Sequence, residues 1–222
     1  MAQIPRTIHQ IWIGDQSRCP IDLITSIKEM NPTWNHILWT EENLPKDLRL
    51  QPLIDAVPFY DMTAKADLIR YEILYRHGGF YVDADSLGLK PFPDFLLDND
   101  SFACYDNEHF YPGYIANGYL GAVQGNYFLG ELINHLLKDL GIDYIKSMPM
   151  GAAADTTGPW LFTRHIKKMQ YNYMTIYPSH YFIPVHYHGL VSPLRHLSYC
   201  EHLAGSTQSS IFDYKALWWN ES

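Results

Sequence analysis

Two aspartates stand one residue apart at the end of an apolar run, in the stretch Gly78-Gly79-Phe80-Tyr81-Val82-Asp83-Ala84-Asp85. In apolar surroundings each carboxylate raises the pKa of the other, and both lose hydration. A hard divalent cation removes both penalties. It takes oxygen ligands, keeps several waters and leaves positions open for the oxygens of a diphosphate. On an extended backbone Asp83 and Asp85 point the same way, and Ala84 between them is too small to obstruct. A pair of loop-capping aspartates is the plain alternative. Upstream, Asp67 and Arg70 share one face of a helical stretch at i,i+3 spacing. Side by side they can accept from and donate to hydroxyl groups, and Arg can also hold a phosphate. A surface ion pair of that spacing is worth little, but the neighbours Leu68, Ile69 and Tyr71 read as buried, which puts the pair at a pocket edge.

The elements that must carry these groups follow from periodicity. Met62 to His77 reads as a helix, with Ala66, Ile69, Ile73 and Leu74 at helical spacing, closed by Gly78-Gly79. Phe80 to Val82 then reads as a central strand covered on both faces. Residues 4–13 read as a strand stopped by Gly14-Asp15, Pro20 to Met30 as a helix stopped by Asn31-Pro32, and Asn35 to Trp39 as a short strand. One or two short helices are expected before Tyr60. Strands are expected at Ser101–Tyr105 and Tyr119–Val123, and helices at Phe128–Leu140 and from Gly158-Pro159 to Met169. The chain from Tyr171 is rich in Pro and His and reads as irregular. Alternating strands and helices make this an α/β chain with a mainly parallel sheet. In such sheets ligands sit beyond the carboxyl ends of the strands, where Asp83 and Asp85 fall.

Composition narrows the partners. The chain has 222 residues, 47% hydrophobic and 18% charged, enough for a sizeable core. Its net charge of −8, with no Lys/Arg block, excludes nucleic acid or an anionic membrane as a general partner. The three cysteines are far apart and form no CxxC pair, which fits reduced thiols. The opening MAQIPRTIHQIWIG lacks the pattern of a signal peptide, and no run of apolar residues is long enough for a membrane span. A cytoplasmic location is the expectation. The 17 Tyr and 6 Trp would suit sugar-stacking surfaces as well as a core. Tyr105-Asp106 and Glu108-His109 follow an expected strand and could line a second substrate's site, as ordinary loop polarity could also explain. His186 and His188 would share a face if extended, but no carboxylate or Cys nearby completes a zinc pattern.

The stretch ADLIRYEILYRHGGFYVDAD, Ala66 to Asp85, resembles the signature of glycosyltransferase family 32, the DXD-motif sugar transferases that include yeast initiating α-1,6-mannosyltransferases and animal α-1,4-galactosyl- and N-acetylglucosaminyltransferases. It is similar also to the corresponding block of the clostridial glucosylating toxins. IPRTIHQIWIG resembles the family's first strand, ANGYLGA (Ala116 to Ala122) its Asn-containing strand, TTGPWLFT (Thr156 to Thr163) its late Thr-Gly-Pro element, and YCEHLAGST (Tyr199 to Thr207) its closing His-x-x-Gly-Ser-Trp region. The resemblance implies one GT-A domain over 1–222, a central mainly parallel mixed sheet flanked by helices, with the segment from about 171 to 222 closing over the site. It implies transfer of a hexose from a UDP- or GDP-sugar to a glycan or other hydroxyl acceptor, with retention and with Mn²⁺ or Mg²⁺ on the diphosphate. Carried over, Asp85 holds the metal and Asp83 contacts both the metal and the ribose or sugar, with His202 or Glu201 completing the metal's ligands. Asp67, Arg70 and Asn117 hold the donor sugar. Ile11, Trp12, Ile13 and Tyr81 line the nucleotide, with Trp12 near the base, and Ser206 touches the diphosphate.

One position departs from the pattern: the closing Trp is Thr207, for which Trp218 or Trp219 could substitute. That departure keeps open a nucleotide-sugar-binding protein without transferase activity. A second alternative is a phosphatase of the haloacid-dehalogenase type, which also sets DxD at a strand end with the first Asp as nucleophile. That pattern wants Thr or Val where this chain has Leu87.

Overall fold

A computed structural model describes residues 3–186 and 188–203. In chain order the elements are β1 Thr7–Ile11, α1 Ile21–Met30, β2 Asn35–Trp39, α2 Gln51–Ala56, α3 Met62–His77, β3 Gly79–Val82, β4 Ser86–Gly88, β5 Ser101–Tyr105, β6 Ile115–Ala122, α4 Tyr127–Asp139, α5 Ile142–Lys146, α6 Ala153–Thr156, α7 Pro159–Met169, β7 Met174–Tyr177 and β8 Cys200–His202, with short 3₁₀ turns between some of them. Six strands form one sheet in the order β2-β1-β3-β6-β5-β7. β1 is parallel to β2 and β3, and β5 to β7. β6 alone runs against its neighbours β3 and β5. The mixed, mostly parallel sheet matches the α/β expectation.

Side-chain alternation divides the core between the two faces of this sheet. Tyr81, Leu120 and Ala122 pack with α3, α4 and α7. Phe80, Val82 and Tyr119 pack on the other side with Trp34, Phe92, Phe102 and Phe182. Phe80 is the hub of that second cluster, with ring centroids 4.8 Å from Phe92 and 4.9 Å from Phe102. Gly121 makes room for it, since a Cβ there would meet the Phe102 ring at 2.0 Å.

The helix that leads into the site is tightly bounded. Asp61 caps α3 by accepting from Ala64 N at 3.0 Å, and Gly78 ends it at φ +64°. A Cβ on Gly78 would stand 2.7 Å from Gln124 N, so the left-handed turn and the close passage of the chain both require glycine. No helix among the described residues is long and apolar enough to cross a membrane.

Three expectations need correcting. The first strand is shorter than 4–13, because Ile4 turns in to bond Leu97 O and the chain past Ile11 leaves the sheet to border the cleft. β6 begins at Ile115 rather than at 119, since Gly118 and Asn117 conceal its period-2 pattern. The stretch from 171 is not wholly irregular: β7 adds to the sheet edge and β8 pairs antiparallel with β4. Strands this short carry almost no periodic signal.

Candidate active site

The carboxyl end of β3 and the reversed start of β6 meet at one edge of the sheet. There Asp83 N donates to Gly118 O at 3.0 Å, extending the ladder past Val82. Asp83 lies two residues beyond Tyr81, on the same side, and Tyr81 OH donates to Asp83 Oδ1 at 2.9 Å. Arg70 reaches the same oxygen from α3, Nη2 to Oδ1 at 3.1 Å. It lies over the Tyr81 ring, 4.5 Å from the centroid.

Behind this stands a buried polar network. Arg70 Nη2 pairs with Asp67 Oδ1 at 3.3 Å and its Nη1 donates to Asn117 O at 2.9 Å. Asn117 Nδ2 donates to Asp67 Oδ1 at 2.8 Å and to Tyr71 OH at 2.9 Å. Thr157 Oγ1 donates to Asp67 Oδ2 at 2.9 Å, and Tyr71 OH donates to Thr157 O at 2.8 Å. Asp67 and Arg70 are only 2% and 4% exposed. They form the floor of a pocket rather than its edge. Burial lifts the Asp67 carboxyl to about 6, against the opposing pull of Arg70, Asn117 and Thr157. Burial alone would lower Arg70, but Asp83 and the other acidic neighbours hold it charged. The sequence pointed to Asp67 and Arg70, and the family resemblance to Asn117; neither gave a sign of Tyr71 as the link between them. Thr157 lay inside the quoted Thr-Gly-Pro element without a role.

His202 arrives by a different route. β8 pairs with β4 so that His202 faces Ser86, the residue after Asp85, and Leu203 N donates to Asp85 O at 3.0 Å. His202 Nε2 comes to 3.2 Å from Asp85 Oδ1 and 3.7 Å from Asp83 Oδ2. Burial would push this imidazole down. The charge and hydrogen bond of Asp85, with Asp83 behind it, outweigh burial and raise it to about 9. Asp83, Asp85 and His202 each offer a ligand atom within 4.8 Å of the others, the one such acidic and histidine group among the described residues. Two carboxylates and one imidazole converging on a cleft suit a divalent cation. Glu201, the other candidate ligand, turns the opposite way along β8 and accepts from Arg195 Nε at 2.8 Å.

All of these groups border one cleft of about 1100 Å³. Ile11, Trp12, Ile13, Asp15 and residues 17–20 line it together with Asp67, Arg70, Tyr81, Asp83, Asp85, Asn117 and His202. Ile11 and Ile13 are also core residues, so what they can offer a ligand is mostly backbone. Trp12 Nε1 is engaged with Asp15 O at 3.1 Å, which fixes the indole beside the cleft. Ser206, Thr207, Trp218 and Trp219 lie outside the described residues. Arg70 and Tyr81 both hold Asp83 Oδ1, while its Oδ2 turns toward His202.

Residues 19–103 match the family model described as the glycosyltransferase sugar-binding region containing the DXD motif. Among similar proteins are two inositol phosphoceramide mannosyltransferases of Schizosaccharomyces pombe. Number 3 is 30% identical over 149 residues, covering 61% of this chain and 38% of that protein. Number 1 is 32% identical over 147 residues, covering 62% and 44%. The matched stretch thus spans less than half the length of either yeast protein. Uncharacterized glycosyltransferase L373 of Acanthamoeba polyphaga mimivirus is 26% identical over 192 residues, covering 82% of this chain and 73% of that one. Among solved structures, the UDP-bound glycosyltransferase domain of the YGT toxin superposes with a TM-score of 0.58 at 10% identity, covering 90% of this chain and 83% of that one. PaToxG glycosyltransferase does so with a TM-score of 0.52 at 16% identity, covering 76% and 70%. Over residues 19–103 this chain is thus similar to the DXD-containing glycosyltransferases, and the sheet around its DXD has the GT-A fold of the toxin glycosyltransferases.

Proposed function

We propose that this protein is a metal-dependent, retaining hexosyltransferase that moves a sugar from a UDP- or GDP-hexose to a hydroxyl acceptor. The observation that carries this reading is the convergence of Asp83, Asp85 and His202 at the mouth of the buried Asp67–Arg70–Asn117 network, in one cleft. Asp83, Asp85 and His202 would hold the divalent ion. When bound, that ion neutralises the diphosphate leaving group. The imidazole in the donor set favours Mn²⁺ over Mg²⁺.

The protein's own groups do the rest. Ile11, Trp12 and Ile13 flank the base and ribose at the β1 end of the cleft, with Tyr81 beneath. The buried carboxylate of Asp67 accepts from sugar hydroxyls, and Arg70 and Asn117 fix that carboxylate in place. Such a network is already oriented before substrate enters, so orientation and fixed charge supply much of the rate. The described residues act as one catalytic unit, in which β8 brings His202 to the donor's diphosphate; residues 204–222 of the expected closing segment lie outside the described residues. The relatives named mannosyltransferases put mannose first among the hexoses to test, and the UDP-bound neighbour keeps uridine beside guanosine.

The test is a transfer and donor-cleavage assay with UDP- and GDP-linked hexoses, with Mn²⁺ or with EDTA, the product anomer read by NMR. One donor should be cleaved only with the metal and give the donor's own anomeric configuration. Full activity in EDTA, or an inverted product, would contradict the reading.

A further inference from the structure

The cleft extends past Asn117 to a carboxylate that the donor reading leaves unused. Asp106 directly follows β5 and lines the cleft. In the sheet order β1-β3-β6-β5, these strands bring to the same edge Ile11, Asp83, Asn117 and Asp106 in turn. The first three of these serve the nucleotide, the metal and the donor sugar in the proposal above. Asp106 stands at the far end.

This carboxylate is held rather than merely exposed. His186 is 1% exposed, and its Nε2 lies 3.0 Å from Asp106 Oδ2. His186 Nδ1 accepts from His188 N at 3.3 Å. That leaves the proton on Nε2, so the imidazole donates to Asp106. The His186 ring lies parallel to Phe110, with centroids 6.1 Å apart and planes within 9°. Asp106 N is tied to Tyr114 O at 3.1 Å. Asp106 Oδ1 accepts no hydrogen bond from any described residue. Glu108, its neighbour in the same loop, points elsewhere and accepts from Ser179 N. A staple between β5 and the loop at 184–190 would account for the Asp106–His186 contact. That contact uses Oδ2 alone, and Asp106 also lines the cleft, which a staple does not require.

Beside Asp106 lies an aromatic pair. Tyr114 lines the cleft, and its ring centroid is 4.1 Å from that of Trp160, which is 38% exposed at the start of α7. An apolar ring face next to an oriented carboxylate is the chemistry that recognises a pyranose or cyclic polyol. The C–H face packs on the aromatics, and an equatorial hydroxyl donates to the carboxylate.

We propose that Asp106, oriented by His186, and the Tyr114–Trp160 pair form the acceptor subsite, and that the acceptor presents a polyhydroxylated six-membered ring rather than an open-chain hydroxyl. Asp106 binds the ring through a hydroxyl, and His186 is a positioning residue. The inference rests on the transferase reading above.

The test is ligand-observed NMR on the full chain, with methyl α-D-mannopyranoside, methyl β-D-galactopyranoside and myo-inositol as ring probes and a serine-containing peptide as the open-chain probe. UDP and GDP with Mn²⁺ are measured on the same samples. At least one ring probe should bind the wild type and weaken about tenfold or more in Asp106→Asn and in Trp160→Ala, the size expected for one hydrogen bond to a charged group. Trp160→Ala guards against misfolding, because that side chain is partly exposed. His186→Phe should weaken ring binding as Asp106→Asn does, and His186→Gln, which keeps an N–H donor, should recover it. Ring binding unchanged in Asp106→Asn and Trp160→Ala overturns the subsite. So does binding of the peptide alone, or nucleotide binding with no ring binding at all. Ring binding that depends on Asp106 without any nucleotide binding would support the subsite and overturn the donor reading instead.

Discussion

Gly118 and Asp83 are in such close register that a Cβ on Gly118 would stand 2.1 Å from Asp83 Oδ2. The same glycine's carbonyl accepts from Asp83 N. The reversed strand β6 therefore holds the first aspartate of the motif by its backbone and, through its missing side chain, leaves room for the carboxylate. Gly118→Ala should cost about 1 to 3 kcal/mol by overpacking, read by urea denaturation. The carboxylate moves more readily than the strand. Nucleotide affinity measured with Mn²⁺ should accordingly fall by more than the stability loss alone explains. A variant that binds as the wild type would show that Asp83 Oδ2 has no part in binding.

Arg70 is the cation that lets Asp67 and Asp83 share a buried corner, at 3.3 Å and 3.1 Å from its Nη2. Arg70→Met keeps most of the volume and leaves Asp67, 2% exposed, without its ionic partner. The expected loss is on the order of 3 to 5 kcal/mol, the usual cost of breaking a buried pair on one side. Replacing Asp67 by Asn in the same chain should recover part of it. A loss confined to a few tenths of a kcal/mol would mean that the network carries no structural weight.

His9 supplies the pH dependence. Its Nε2 lies 2.8 Å from Gly78 O, and its Nδ1 accepts from Trp39 Nε1 at 3.1 Å. The ring is thus the neutral Nε2–H form, and protonating Nδ1 would set two donors against each other. Burial, with His77 and His36 nearby, lowers its pKa to about 4, despite the raising effect of the Gly78 bond. The unfolded chain takes up the proton at a higher pH than the fold does. Stability is therefore complete above the unfolded pKa and falls as pH drops from 6.5 toward 4. Between about pH 7 and about pH 5 this one group should remove about 2 kcal/mol. His9→Gln should flatten that part of the pH profile, and an unchanged profile would refute the assignment. His165, also lowered to about 4 by burial, adds a slope of the same sign and serves as the internal reference.

How much of this was legible in the sequence differs by element. α3 and β3 could be read because a long helix repeats its apolar spacing and ends on Gly78-Gly79, and because β3 is apolar throughout. The acidic pair could be read because burial of two like charges demands an explanation. His202 entered only through the family resemblance, since a strand of three residues, Cys200–His202, has no periodic pattern to recognise. For the same reason neither Glu201 nor His202 could be chosen: on a strand they face opposite ways, and only the pairing with β4 decides which faces Asp85. Tyr71 was hidden because its partners, Asn117 and Thr157, are 46 and 86 residues away in the chain. Proximity of that kind is made by topology and not by local pattern.

The measurement closest to the central claim is calorimetric titration of UDP and GDP into the wild type and into Asp85→Asn and His202→Ala, in Mn²⁺ and in EDTA. One nucleotide should bind the wild type only with Mn²⁺. Its affinity should drop about tenfold or more in each variant, in line with the loss of one ligand from a small coordination set. Binding of equal strength in EDTA, or variants that bind as tightly as the wild type, would contradict a metal held by Asp83, Asp85 and His202.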